Sequence, residues 1–234
     1  MTIKCGTYNG KKTYESLMIE VTDKPTDAFI RLVPVDILSM VTEIIERCNN
    51  MRKDIQPIVL QILMTNKEKL LYWAAAKQMH HALYGGLLYH MYRMGNAADA
   101  VCNTYVNLDR DLLVAGAYLH DIGKLRELNT DRLGTAEYTI PGTLLGHMVL
   151  GIKMLDEVKG DQNIIFQLEH MIASHHGEPE YGAIVRPATA EAMMLHELDM
   201  MDSKIYQFEE VYEKMESGTL SEKIFGLNTS VFKN

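Results

Sequence analysis

The chain has 234 residues, 47% of them hydrophobic and 23% charged, with a formal net charge of −8. That apolar content lets one large domain bury a core without disulfides, and the acidic balance argues against coating duplex nucleic acid by counterion release. Three scattered cysteines (Cys5, Cys48, Cys102) with no CxxC pair argue against a disulfide framework or a zinc knuckle, and for a reducing cytoplasm.

The N-terminal MTIKCGTYNGKK is polar and basic and lacks an apolar segment, so no secretory leader is expected. Tyr8-Asn9-Gly10-Lys11 carries a turn signal, and flanking stretches such as Leu17–Val21 suit strands, predicting a short β appendage over residues 1–33. From residue 34 to 234 the pattern is helical nearly to the end. Val35, Leu38, Val41, Ile44 and Ile45 form one stripe at three- and four-residue spacing, and Ile58, Leu60, Ile62, Leu63 and Leu70 form another. Further helices are expected at about 81–94, 96–105, 109–121, 142–158 and 162–175, then a long one over 188–216 opening at Pro187. Gly123, Gly160 and Gly177 each follow a helical stretch, where C-terminal caps occur. The longest clean apolar run, Leu112 to Leu119, is too short for a bilayer, which needs ~20 residues. The fold class is therefore all-α with a small β appendage, and no membrane partner is expected. Oligomeric state has no signature here.

The chain holds nine histidines, and several return at intervals of roughly 25 to 30 positions: His90, then His120-Asp121, His147, His175-His176, and finally Asp199. A helix of ~12 residues plus a turn and a return covers that length, so a bundle can bring each to the same end. Histidine with carboxylate suits Mn, Fe, Co, Ni or Zn better than Mg or Ca. Asp121 ends the apolar segment LLVAGAYLHDIGK, where a buried charge needs a neutralising partner, and it could bridge two ions. Lys124 would set a positive charge beside them as a phosphate clamp. A lone histidine at a helix end, or an isolated His-Asp dipeptide, carries no such meaning. The joint pattern does.

These residues resemble the HD superfamily of metal-dependent phosphohydrolases, whose doublet is His120-Asp121 here. The stretches HHALYGGLLYH (80–90), NLDRDLLVAGAYLHDIGKLREL (107–128), GTLLGHMVLG (142–151), SHHGEPEYG (174–182), LHELDMMDSK (195–204) and SEKIFGLNTSVFKN (221–234) are similar to the YhaM-type 3′–5′ exoribonucleases. The resemblance covers about residue 34 to the C-terminus and implies an HD-domain helical bundle. It implies metal ligands at His90, His120, Asp121, His147, His175, His176 and Asp199, with Asp202 as a partner behind them. Asp121 and Lys124 would be the catalytic pair, and His80, His81 and His196 candidates for substrate contact or support. His170 is read as structural. Two divalent ions are implied, Mn or Fe preferred, with Mg, Co, Ni or Zn open.

The implied reaction is metal-assisted phosphodiester hydrolysis without a side-chain nucleophile, acting 3′ to 5′ on single-stranded RNA or another phosphate ester. The alternative is a phosphohydrolase acting on small nucleotides or cyclic dinucleotides. The resembled enzymes carry a whole OB domain ahead of the HD domain, whereas IKCGTYNGKKTYESLMIE resembles only the last hairpin of an OB barrel, a remnant in which Tyr8 and Tyr14 suit strand packing or base stacking.

Overall fold

The computed structural model describes residues 2–8, 11–18, 30–76, 83–131 and 135–234. Contacts divide the chain into two compact units, residues 1–30 and 31–234. In the first, β1 (Thr2–Tyr8) pairs antiparallel with β2 (Lys11–Met18), with Tyr8 opposite Lys11 and Tyr14 opposite Cys5. Asn9-Gly10, and Ile19 to Val21 of the second expected strand, lie outside the described residues.

The second unit is helical. In α1 (Ile37–Asn49), Asp36 accepts a hydrogen bond from the Ser39 amide at 2.8 Å and so caps the free N-terminal turn. Its buried face is Met40, Ile44 and Cys48, an i, i+4 stripe, while Leu38 of the expected stripe is exposed. Then come α2 (Gln56–Thr65), with Pro57 in its first turn, and the short α3 (Lys67–Leu70).

The expected helices over 81–94 and 96–105 are one element, α4 (Gly86–Cys102). Gly95 does not break it: a Cβ there would lie 2.4 Å from Tyr118 Cε1, so the glycine admits the tyrosine ring of α5 (Arg110–Leu119). Next are α6 (Lys124–Glu127), a hairpin of β3 (Leu128–Thr130) and β4 (Ala136–Tyr138), α7 (Ile140–Asp156), α8 (Gln162–Ser174) and α9 (Ala190–Tyr212). The last helix opens not at Pro187 but behind Thr189, whose side chain accepts from the Ala192 amide. A C-terminal hairpin of β5 (Leu220–Ile224) and β6 (Thr229–Phe232) replaces the expected end of the helical pattern.

Helix α5 is the centre of the bundle. It is buried from Leu112 to Leu119 and packs on α4, α8 and α9, and an apolar segment without a polar face has no other stable location. The glycines expected as caps divide by cause. Gly177 has φ +77° and its amide donates to the Ser174 carbonyl, although the helix ends at Ser174 with His175 as its cap, whereas Gly123 has φ −61° and is required for space: a Cβ there would lie 1.9 Å from the His147 carbonyl oxygen. Gly160 likewise yields room to Ile58. Among the described residues, no helix is long and apolar enough to cross a membrane.

Candidate metal centre

The seven sequence-predicted ligands come from five parts of the bundle. His90 lies within α4, His120 and Asp121 follow α5, and His147 lies in α7. His175 and His176 follow α8, and Asp199 lies in α9. Fixed partners aim their rings. The Nδ1–H of His90 donates to Asp202 Oδ2 at 2.8 Å, that of His120 to the Ala117 carbonyl at 3.1 Å, and that of His175 to the Ile172 carbonyl at 2.7 Å. Each arrangement occupies Nδ1 and turns Nε2 inward, towards the other donors, the orientation a metal ligand needs.

His147 is positioned by a break in its helix. Gly146 has φ +71°, which interrupts α7 and frees the His147 amide. Glu127 Oε1 accepts from that amide at 3.0 Å and lies 3.2 Å from His147 Nδ1, so one carboxylate oxygen fixes both backbone and ring.

The donor atoms collect in two groups. Nε2 of His90 and of His120 are 3.1 Å apart, and Asp199 Oδ1 lies 3.4 Å from the first and 3.9 Å from the second. His147, His175 and His176 form the other group, and within each group the donors fall within 4.8 Å of one another. Asp121 lies between them. Its Oδ2 is 3.6 Å from His90 Nε2 and 3.5 Å from His120 Nε2, while its Oδ1 is 3.6 Å from His147 Nε2 and 3.9 Å from His175 Nε2.

The donor set fits divalent metal. Nε2 of His147 and His175 and Nδ1 of His176 are buried without a hydrogen-bond partner among the described residues, and such atoms are costly unless something binds them. Mixed imidazole and carboxylate donors at this spacing suit bonds of ~2.1 Å to a first-row transition metal. Charge agrees. Burial would raise both carboxyls, but Lys124 and His120 hold Asp121 well below the usual range, and the His90 hydrogen bond and the His120 charge lower Asp199. Burial and neighbouring imidazoles push His175 and His176 down, so they stay neutral. His90 goes the other way, to about 10, because hydrogen bonds with Asp199 and Asp202 outweigh its burial. The carboxylates thus demand a positive charge at this spot, which a cation supplies with His90 neutral.

Lys124 lines the same cleft, of about 310 Å³, and donates from Nζ to Asp121 Oδ2 at 2.6 Å. The backbone before its side chain is anchored too, since Trp73 Nε1 donates to the Lys124 carbonyl at 2.9 Å.

Some predicted residues stand elsewhere. The His196 Nδ1–H donates to the His175 carbonyl at 2.8 Å, so His196 braces the end of α8 rather than lining the cleft. His80 and His81 lie outside the described residues. His170 Nε2 accepts from the Ala188 amide at 2.9 Å, a structural contact ahead of α9. Sequence reasoning missed Glu127, and it missed Arg93, whose guanidinium binds the second oxygen of Asp202 and Glu209. Arg93 is one turn beyond His90 on α4, which was the available signal.

The profile described as "HD domain" matches residues 87–204, a span that contains every donor named above. A 3′–5′ exoribonuclease YhaM from Bacillus licheniformis is 35% identical over 213 residues, covering 88% of this chain and 67% of that protein. The proteins of the same name from Bacillus subtilis and Bacillus velezensis are each 34% identical over 215 residues, with the same coverage. No solved structure matches. The chain belongs to the HD-domain family of metal-dependent phosphohydrolases, with similarity to the YhaM proteins over most of its length.

Proposed function

We propose that the chain hydrolyses single-stranded RNA from its 3′ end and releases 5′-mononucleotides. The observation that carries the reading is Asp121, whose two carboxylate oxygens face separate histidine groups. Two-metal sites that share a carboxylate serve in-line displacement at phosphorus. Similarity to proteins named as 3′–5′ exoribonucleases supports RNA as the substrate.

In this reading His90, His120 and Asp199 would hold one ion, His147, His175 and His176 would hold the other, and Asp121, which faces both groups, would contribute to each. When bound, divalent ions supply Lewis-acid polarisation of the phosphoryl group and a water of lowered pKa, with Mn or Fe suiting the donors. Asp202 and Glu127 keep the His90 and His147 rings in the binding orientation. Lys124 presents its ammonium to the phosphoryl oxygens, where negative charge develops in the transition state. No side chain of the set acts as nucleophile.

The cleft volume of about 310 Å³ is at the small end for ligand pockets and favours, as a second reading, hydrolysis of a small nucleotide or cyclic dinucleotide. With Mn²⁺, single-stranded RNA blocked at its 3′ end should survive while a 5′ block has no effect, and the product should be 5′-mononucleotide. Survival of every RNA alongside hydrolysis of a small nucleotide would transfer the assignment to the second reading.

A further inference from the structure

The cleft is not uniformly polar. Ala75, Ala76, Met200 and Tyr181 share it with the ligand carboxylates and Lys124, and nothing in the metal chemistry accounts for these apolar groups. Tyr181 is the largest of them and is 70% exposed. Exposure alone is ordinary for an aromatic residue, but the location of this one is set by the ligands.

Gly177 turns the chain directly after His176 with φ +77°, and Pro179–Tyr181 forms one 3₁₀ turn. The Tyr181 amide donates to the Glu178 carbonyl at 2.9 Å, and the Gly182 amide to the Pro179 carbonyl at 2.9 Å. Gly182 then takes φ +99°, and a Cβ there would lie 3.3 Å from His176 Nδ1, so the turn folds back against the histidine. At the foot of the turn, Arg186 Nε donates to Glu178 Oε2 at 2.7 Å. The backbone that carries the Tyr181 ring is therefore fixed at the edge of a cleft whose other groups are the proposed metal and phosphate ligands.

A planar ring at that location matches a nucleobase, since every base offers a π-face and stacks on tyrosine without regard to sequence. We propose that Tyr181 is a positioning residue that stacks on the base of the nucleotide whose phosphate occupies the metal centre. The inference rests on the phosphohydrolase reading above and adds the residue by which the cleft would distinguish a nucleotide from a phosphate ester lacking a base.

The test is equilibrium binding to the Mn²⁺-loaded protein, comparing adenosine 5′-monophosphate with ribose 5-phosphate. The wild type should bind the base-bearing ligand roughly 5- to 150-fold more tightly, the range that base–aromatic stacking covers. In Tyr181→Ala that preference should collapse towards parity, and in Tyr181→Phe it should persist. Equal binding of the two ligands by the wild type, a preference that survives Tyr181→Ala, or no binding of either overturns the inference. RNA cleavage is read separately: stacking without cleavage removes the exonuclease reading alone, and cleavage without base preference removes this inference alone.

Discussion

Asp202 and His90 meet at 2.8 Å, carboxylate oxygen to Nδ1, and this contact decides which ring nitrogen His90 turns towards Asp199 and Asp121. The carboxylate is held by half-buried Arg93 on its other oxygen, so the His90 ring is aimed through buried Asp202 of α9, itself tied back to α4.

Asp202→Ala should therefore weaken metal binding without removing a ligand. Loss of such a partner typically costs about 10- to 100-fold in affinity. Titration of the metal-free protein with Mn²⁺ would show it, and an unchanged dissociation constant would mean that His90 is oriented by other contacts.

Two glycines beside His147 should respond differently to the same change. Gly146→Ala meets no neighbour, since nothing lies within 4 Å of the added carbon, but φ 71° with ψ 165° is backbone that only glycine adopts readily, a strain of about 1–3 kcal/mol. Gly123→Ala meets no strain at φ −61° but collides with the His147 carbonyl, so α6 and α7 must separate. Thermal melts should place Gly146→Ala roughly 2–12 °C below the wild type, with Gly123→Ala far lower. The reverse order would contradict the close approach of these segments.

Cys48 is fully buried, and burial pushes its thiol up to about 12. The neutral thiol is a poor nucleophile. Alkylation followed by mass spectrometry at pH 8 to 10 should modify exposed Cys5 rapidly and leave Cys48 intact until denaturant is added. Early labelling of Cys48 would show that α1 opens in the native state.

Lys124 separates metal binding from catalysis. Lys124→Ala should retain its metal yet lose kcat/KM by about 2–4 kcal/mol of transition-state stabilisation, as for removal of one oxyanion donor. An unaltered kcat/KM would reduce Lys124 to a counter-charge for Asp121.

How far the sequence could be read depended on what each residue's role rests on. His90, His120, Asp121, His147, His175, His176 and Asp199 were legible because their types announce metal chemistry and their spacing matches returning helices. Glu127 was not, since a carboxylate three residues beyond a lysine reads as a surface pair until its burial under α7 is known. Gly123 and Gly160 were misread as punctuation because their function is to leave room for the His147 backbone and the Ile58 side chain, partners distant in sequence. The hairpins β3–β4 and β5–β6 have strands of only three to five residues, too short for alternation to declare itself.

The central claim, a paired metal site sharing Asp121, is tested most directly by metal content after Mn²⁺ reconstitution. Elemental analysis should find about two ions per chain in the wild type. Asp121→Ala should lose most of that metal while keeping its helical circular dichroism. No bound metal in the wild type, or full metal content in a folded Asp121→Ala protein, would contradict the account.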